Sequence, residues 1–215
     1  TGRKVLIMLS KVFAKCQRIA TKCRDAKGYK SGSLFARSSN KDSEGAMYIY
    51  EAIGGWFGGV TADGVRQALD ALKGVETLNI YVNSEGGDVF EAKAIYTQLQ
   101  RFASKKVVHI DGLAASAATF IAMAGDEIVT APEATWMIHD AWGIEVGNAE
   151  AMRAYGDRLD MLSADIAQIY AKRTGAPVEE MRELMKAETW MNAQEALEKK
   201  FTDRISTYGD DEDEE

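Results

Sequence analysis

Two alanines precede Ser116 and two follow it, so nothing bulky stands between its hydroxyl and an approaching backbone. The run sits where an extended stretch passes into an apolar helical one. The start of that helix would aim free N–H groups and a positive dipole end at the hydroxyl, which suits a developing oxyanion. A serine there is also a good helix N-cap with no chemistry at all, and the segment alone leaves both readings open. A serine nucleophile at neutral pH needs a base within hydrogen-bond reach, and the chain has 2 histidines. His109 lies mid-strand between Val108 and Ile110, where packing is the expected role. His139 ends an apolar strand and precedes Asp140-Ala141-Trp142-Gly143, at the mouth of a parallel sheet where α/β sites lie, and is the better base. Asp140 is poorly placed to orient it, because adjacent strand residues point to opposite faces, so an orienting acid must come from further along the chain.

Gly86-Gly87 after a strand is the remaining chemical element: glycine lets the backbone turn an N–H inward and approach a substrate carbonyl closely. The same turn could hold a phosphate or a thioester oxygen, which keeps an acyl-CoA enzyme open. The phosphate loops GxxxxGK[ST] and GxGxxG are missing from the sequence. With 2 Cys and 2 His, a tetrahedral zinc site would need carboxylates to complete it, so no metal and no cofactor is expected. Cys16 and Cys23, if helical, stand about 10 Å apart along the axis, too far for a disulfide, which points to a reducing compartment.

The elements that must position these residues follow from punctuation and period. Tyr48-Ile49-Tyr50 reads as a short strand, and Gly54 to Gly59 as a loop. Thr61 caps a helix through Val65, Leu69 and Leu72 that Gly74 ends. A strand at 78–83, a helix with Val89, Ala92, Ile95 and Leu99 on one side, and a strand at 107–110 come next. The unit recurs through Ser116 into an apolar helix ending near Gly125, then strands at 127–130 and 136–139. This alternation predicts an α/β domain of stacked ββα or βαβ modules. The longest helix is expected at about 149–173, with Met152, Tyr155, Leu159, Leu162, Ile166 and Ile169 forming a seam. Core packing is its expected use, yet a length of roughly 37 Å lets part of it project into an oligomer contact. Two short helices at 179–186 and 194–200 close the chain, joined by an extended Trp190-Met191 with Asn192 as N-cap.

Composition bounds the rest. The 215 residues are 46% apolar and 27% charged with 2 Pro, as in a soluble globular domain. Val5-Leu6-Ile7-Met8-Leu9 is far short of the roughly 20 apolar residues of a membrane span, so neither span nor signal peptide is expected. Residues 1–46 hold 11 basic and 3 acidic side chains, whereas 47–215 hold 15 and 30. The basic arm is read as a loose or oligomer-contacting extension, with nucleic acid the less favoured partner. The acidic run Asp210 to Glu215 is read as a solvated, disordered tail.

Four stretches in this order, Asn83-Ser84-Glu85-Gly86-Gly87-Asp88-Val89, Gly112-Leu113-Ala114-Ala115-Ser116-Ala117, Met137-Ile138-His139 and Glu188-Thr189-Trp190-Met191-Asn192-Ala193, resemble the Clp protease proteolytic subunit family. The resemblance covers about 47–206, and its tail end in particular is similar to the phage-type head maturation branch. It implies a ClpP/crotonase-type α/β spiral of ββα units with the long helix as a projecting handle, and a homo-oligomer of heptameric or stacked rings. It implies a serine endopeptidase in which Ser116 is nucleophile, His139 is base, and Glu188 stands where the main family has Asp. Gly87 and Ala117 N–H groups would form the oxyanion hole. Gly86, a strand-like Asp88-Val89-Phe90 and Asp140 would hold an extended peptide. The implied substrates are capsid and scaffold proteins, in the host cytoplasm or inside a procapsid. The basic arm departs from the family's docking segment, which puts coupling to an ATPase in question. A degradative peptidase fed by an ATPase, a hydratase or isomerase of the same fold, and a non-catalytic assembly scaffold are the competing readings.

Overall fold

A computed structural model describes residues 35–38, 43–54 and 59–207. Cys16 and Cys23, most of the basic arm, the Gly55 to Gly58 part of the loop and the acidic tail lie outside the described residues. Among the described residues, eight strands form one largely parallel sheet: β1 (Phe35–Ser38), β2 (Glu44–Ile49), β3 (Thr77–Ser84), β4 (Lys105–Ala115), β5 (Glu127–Thr130), β6 (Thr135–Ile138), β7 (Thr189–Asn192) and β8 (Arg204–Ile205). Its order is β1-β2-β3-β4-β5-β8, with β6 on the far part of β4 and β7 on β6. Residues 35–38 and 44–46, assigned from composition to the extension, pair in this sheet.

The helices are α1 (Ala62–Ala71), α2 (Val89–Arg101), α3 (Ala117–Ala122), α4 (Ala149–Thr174), α5 (Val178–Lys186) and α6 (Ala193–Glu198). Their boundaries are written in cap residues. Thr61 accepts from the Gly64 N–H at 3.1 Å, Asn148 from Ala151 at 2.9 Å, and Asn192 with Glu195 forms a reciprocal capping box. Crossovers through α1, α2 and α3 bury Val65, Leu69, Ile95, Leu99, Phe120 and Ile121 against the sheet core of Met47, Ile80, Val108 and Ile128. Each fully buried side chain of this kind contributes about 1.5–3 kcal/mol.

Two elements differ from the sequence expectation in ways that matter for the site. β4 does not stop at Ile110 but runs on through Gly112 to Ala115. Its first half pairs with β5 and its second half with β6, so the sheet forks along one strand. The seam of α4 also divides: Leu162 and Ile166 are buried, Tyr155 and Leu159 half-buried, and Met152 exposed, with no buried residue before Leu162. The first half of α4 therefore stands off the core. None of the described helices is long and apolar enough to cross a membrane.

Candidate active site

Sheet register gathers the four motifs. The β4–β6 ladder sets Ala115 opposite Met137, and the Ser116 N–H extends it by donating to the Met137 carbonyl at 2.8 Å. The parallel β3–β4 ladder ends with Ser84 opposite Ala114, which carries Gly86 and Gly87 to the same end. The antiparallel β6–β7 ladder sets Ile138 opposite Thr189, so the next residue of each, His139 and Glu188, flank the same strand ends. Four chain segments far apart in sequence thus converge at the carboxyl end of β4, where open α/β sheets place their ligands.

Ser116 occupies the N-cap position of α3 but makes no side-chain cap hydrogen bond. Its Oγ lies 2.7 Å from His139 Nε2 instead. The capping role that the sequence left open is not the one taken. Its backbone is at φ 52°, a left-handed value unusual for a residue with a Cβ, and such strain concentrates at functional turns. Gly86 makes that turn possible. A Cβ there would stand 2.6 Å from the Ala115 carbonyl oxygen and 2.7 Å from the Ala117 nitrogen, so any side chain would collide with the serine turn. The Gly86 N–H is held by Ser84 Oγ at 3.1 Å, and its carbonyl accepts from Ile53 at 2.8 Å.

His139 is half-buried, and burial pushes its pKa below the ordinary 6.5, while the negative charges of Glu188 and then Asp140 pull it back up. The imidazole is accordingly neutral at pH 7 and able to accept the serine proton. Glu188 acts on His139 through its charge; among the described residues no hydrogen bond joins the two. Glu188 is exposed and, like Ser116, has a left-handed backbone, φ 50°. Asp140 is committed elsewhere: its carboxylate accepts from Arg182 of α5 at 2.6 Å and its N–H donates to Met185 O at 3.2 Å.

A cleft of about 600 Å³ opens beside Ser116 and His139, with Phe120, Leu162 and Ile166 in its apolar wall. Gly86, Gly87, Asp88, Val89, Phe90 and Ala117 also line it. The strand expected at Asp88-Val89-Phe90 is absent. Asp88 accepts from the Phe90 and Glu91 N–H groups at 2.8 and 2.9 Å and caps α2, whose first residues are Val89 and Phe90. The acidic side chain two to three residues before free N–H groups is the sequence signal for that cap. Asp140 is not part of the cleft lining, Arg182 having drawn it aside. His109 has the packing role expected of it: Nε2 sits 3.1 Å from Asn79 Oδ1 and the ring stacks on Tyr81 at 4.7 Å.

The sequence reading did not single out Lys93, Thr119 or Tyr170. Lys93 lines the cleft and is paired to Asp165 of α4 at 2.6 Å. Thr119 is fully buried and joined to Tyr170 of α4 at 2.6 Å. The signal available for the last pair was a hydroxyl amid the all-apolar run of α3, which must find a partner once buried.

The chain matches the family model described as Clp protease over residues 61–209. It is 32% identical over 143 residues to the ATP-dependent Clp protease proteolytic subunit of Streptococcus thermophilus strain ATCC BAA-491 / LMD-9, an alignment covering 65% of this chain and 73% of the relative. The proteins of the same description from strains CNRZ 1066 and ATCC BAA-250 / LMG 18311 align with the same identity and coverage.

Proposed function

The chain belongs to the Clp protease family, and from that premise we propose that it is a serine endopeptidase in which Ser116, His139 and Glu188 form the catalytic set. The observation that carries this reading is the 2.7 Å contact between Ser116 Oγ and His139 Nε2 at the mouth of an apolar cleft. With Nε2 accepting, the neutral ring carries its proton on Nδ1. Ser116 Oγ passes its proton to Nε2 as it attacks the scissile carbonyl, and the charge of Glu188 stabilises the imidazolium so formed. The tetrahedral oxyanion is held by the N–H groups of Gly87 and Ala117, which take no partner among the described residues. Collapse expels the amine, which takes the proton from His139 Nε2. A water molecule, deprotonated by the same nitrogen, then releases the acyl group and restores Ser116. Gly86, Asp88, Val89 and Phe90 border the bound peptide.

Rings of this chain, with the projecting half of α4 between them, would confine the sites and protect folded proteins in a cytoplasmic setting. Likeness of the tail end of the matched stretch to the head maturation branch supports capsid and scaffold proteins as substrates. The ATP dependence of the streptococcal relatives favours a second reading, in which an ATPase delivers unfolded chains. Cutting of a scaffold protein without ATP supports the first, and cutting of proteins only when an ATPase and ATP are supplied supports the second. The founding test is intact-protein mass after a fluorophosphonate. A single adduct that is lost in Ser116→Ala is expected, and an adduct kept in that variant overturns the nucleophile assignment.

A further inference from the structure

Thr119 and Tyr170 are both nearly inaccessible, at 0% and 2% exposure, and their hydroxyls meet between α3 and α4. The Thr119 hydroxyl also reaches the Ser116 carbonyl oxygen at 2.5 Å, and the Thr119 N–H reaches the same oxygen at 3.0 Å. The direction of the chain of bonds follows from valence. A carbonyl only accepts, so the single Thr119 hydroxyl proton points to Ser116 O, and Tyr170 O–H must donate to Thr119 Oγ1. Donation into Oγ1 polarises the Thr119 O–H and strengthens its bond to Ser116 O, as hydrogen bonds in series do in a low dielectric. Burial raises the Tyr170 phenol far above its ordinary range, so it keeps this proton throughout the working pH range.

The tyrosine end is fixed independently. The Tyr170 ring packs on Phe201 at 5.4 Å, and Phe201 on Trp136 at 6.0 Å. Trp136 belongs to β6, the strand that delivers His139 and whose Met137 carbonyl takes the Ser116 N–H. Both backbone polar groups of Ser116 are therefore tied, its N–H to β6 directly and its C=O to α4 through Thr119. A residue at φ 52° holds that conformation only where its surroundings over-determine it, and these two ties supply that constraint.

We propose that Thr119 and Tyr170 are positioning residues that lock the Ser116 turn from α4, so that the seating of the long helix sets how well the serine oxygen is aimed. This rests on Ser116 being the peptidase nucleophile. Tyr170 reaches the apolar wall of the cleft, but both hydroxyls are turned away from the reacting atoms and act through the Ser116 carbonyl. The device also links the site to assembly, because Tyr170 lies on the same rigid helix as the projecting residues 149–161.

The test compares Tyr170→Phe, Thr119→Val, Thr119→Ser and the Thr119→Val/Tyr170→Phe double variant with the wild type. The readouts are the second-order rate of fluorophosphonate addition to Ser116, and kcat and KM on a fluorogenic peptide. A misplacement of about 1 Å can cost about 100-fold, so Thr119→Val should lose on the order of 30–100-fold in labelling and kcat. Tyr170→Phe should lose about 5–10-fold, with KM unchanged in both. Thr119→Ser should restore labelling to within about threefold of wild type. The double variant should fall no lower than Thr119→Val, because Tyr170 works only through that hydroxyl. Wild-type labelling rates in Tyr170→Phe and Thr119→Val, whatever their melting temperatures, would overturn the lock. Tyr170→Phe keeps the ring and its packing and decides the matter alone if Thr119→Val fails to fold. A wild type that takes no adduct, or an adduct that survives Ser116→Ala, would overturn the peptidase reading and the lock with it.

Discussion

Ser116 Oγ stands 2.7 Å from His139 Nε2 because the β4–β6 ladder, not the sequence, makes the two residues neighbours. One strand must lead into Ser116 and a parallel strand into His139 with matched register, and a slip of one residue would turn the imidazole to the other face. The contact also explains why the N-cap position of α3 is left without a side-chain cap bond. A capping serine is worth about 0.5–2 kcal/mol to its helix, and that stabilisation is forgone here for a hydroxyl that points at a base.

Ser116→Ala should therefore abolish peptide cleavage while leaving thermal stability within about 1 kcal/mol of wild type, since no cap bond is lost. Turnover of a fluorogenic peptide and the melting midpoint measure the two halves. Turnover equal to wild type would move the nucleophile elsewhere.

The pH dependence follows from His139. Its pKa is held below the ordinary 6.5 by burial, and kcat/KM requires the neutral ring, so activity should fall on acidification with a midpoint below pH 6.5. Glu188 opposes that shift, because its negative charge favours the imidazolium. Glu188→Gln removes the charge, so the His139 pKa drops further and the acid limb moves to lower pH, while the plateau falls by about 10²–10⁴-fold as in other triads. A pH profile of kcat/KM for both proteins checks the direction. An acid limb that moves upward would exclude Glu188 as the acid.

Gly86 and Gly74 form a matched pair for testing the turn. Both have positive φ, +92° and +96°, so alanine is strained at either position by about 1–2 kcal/mol. Only at Gly86 does the new Cβ strike the Ser116 turn, 2.8 Å from Ser116 Cβ, whereas at Gly74 nothing lies within 4 Å. Gly74→Ala should lower stability and keep specific activity. Gly86→Ala should lower stability and lose on the order of 100-fold or more in activity, because the serine is pushed off line. Equal specific activities in the folded fraction of both variants would contradict the placement.

What was readable beforehand depended on whether the information was local. Caps and periods placed α1, α4 and α6 closely, since Thr61, Asn148, Gly175 and Asn192 act on the residues next to them. The course of β4 beyond Ile110 was not readable, because Gly112 and the small residues after it form strand only through pairing with β6. Asp88-Val89-Phe90 was misjudged where a resemblance to an extended peptide-binding edge was preferred over the cap chemistry of Asp88. Serine and histidine could be named from their motifs, but the Thr119–Tyr170 tie spans 51 residues and exists only once α4 packs across α3.

Assembly should be read out in the same region. Trp142, Ile144 and Val146 are 73%, 76% and 85% exposed, and Met161 on the projecting half of α4 is 57% exposed. Large apolar side chains exposed over residues 142–146 are of the kind that protein interfaces bury. Trp142, Tyr155 and Arg158 from this region also line the cleft, so a second copy covering it would complete the wall beside Ser116 as well as bury the patch. Met161→Glu and Ile144→Glu place a charge in that contact and should shift native mass from a ring toward smaller species. Peptidase activity per chain should fall with it and recover in part at high protein concentration, which mass action requires of an assembly-dependent site. Variants that keep both the ring and full activity would show that the contact lies elsewhere, whereas loss of the ring with full activity would separate assembly from catalysis.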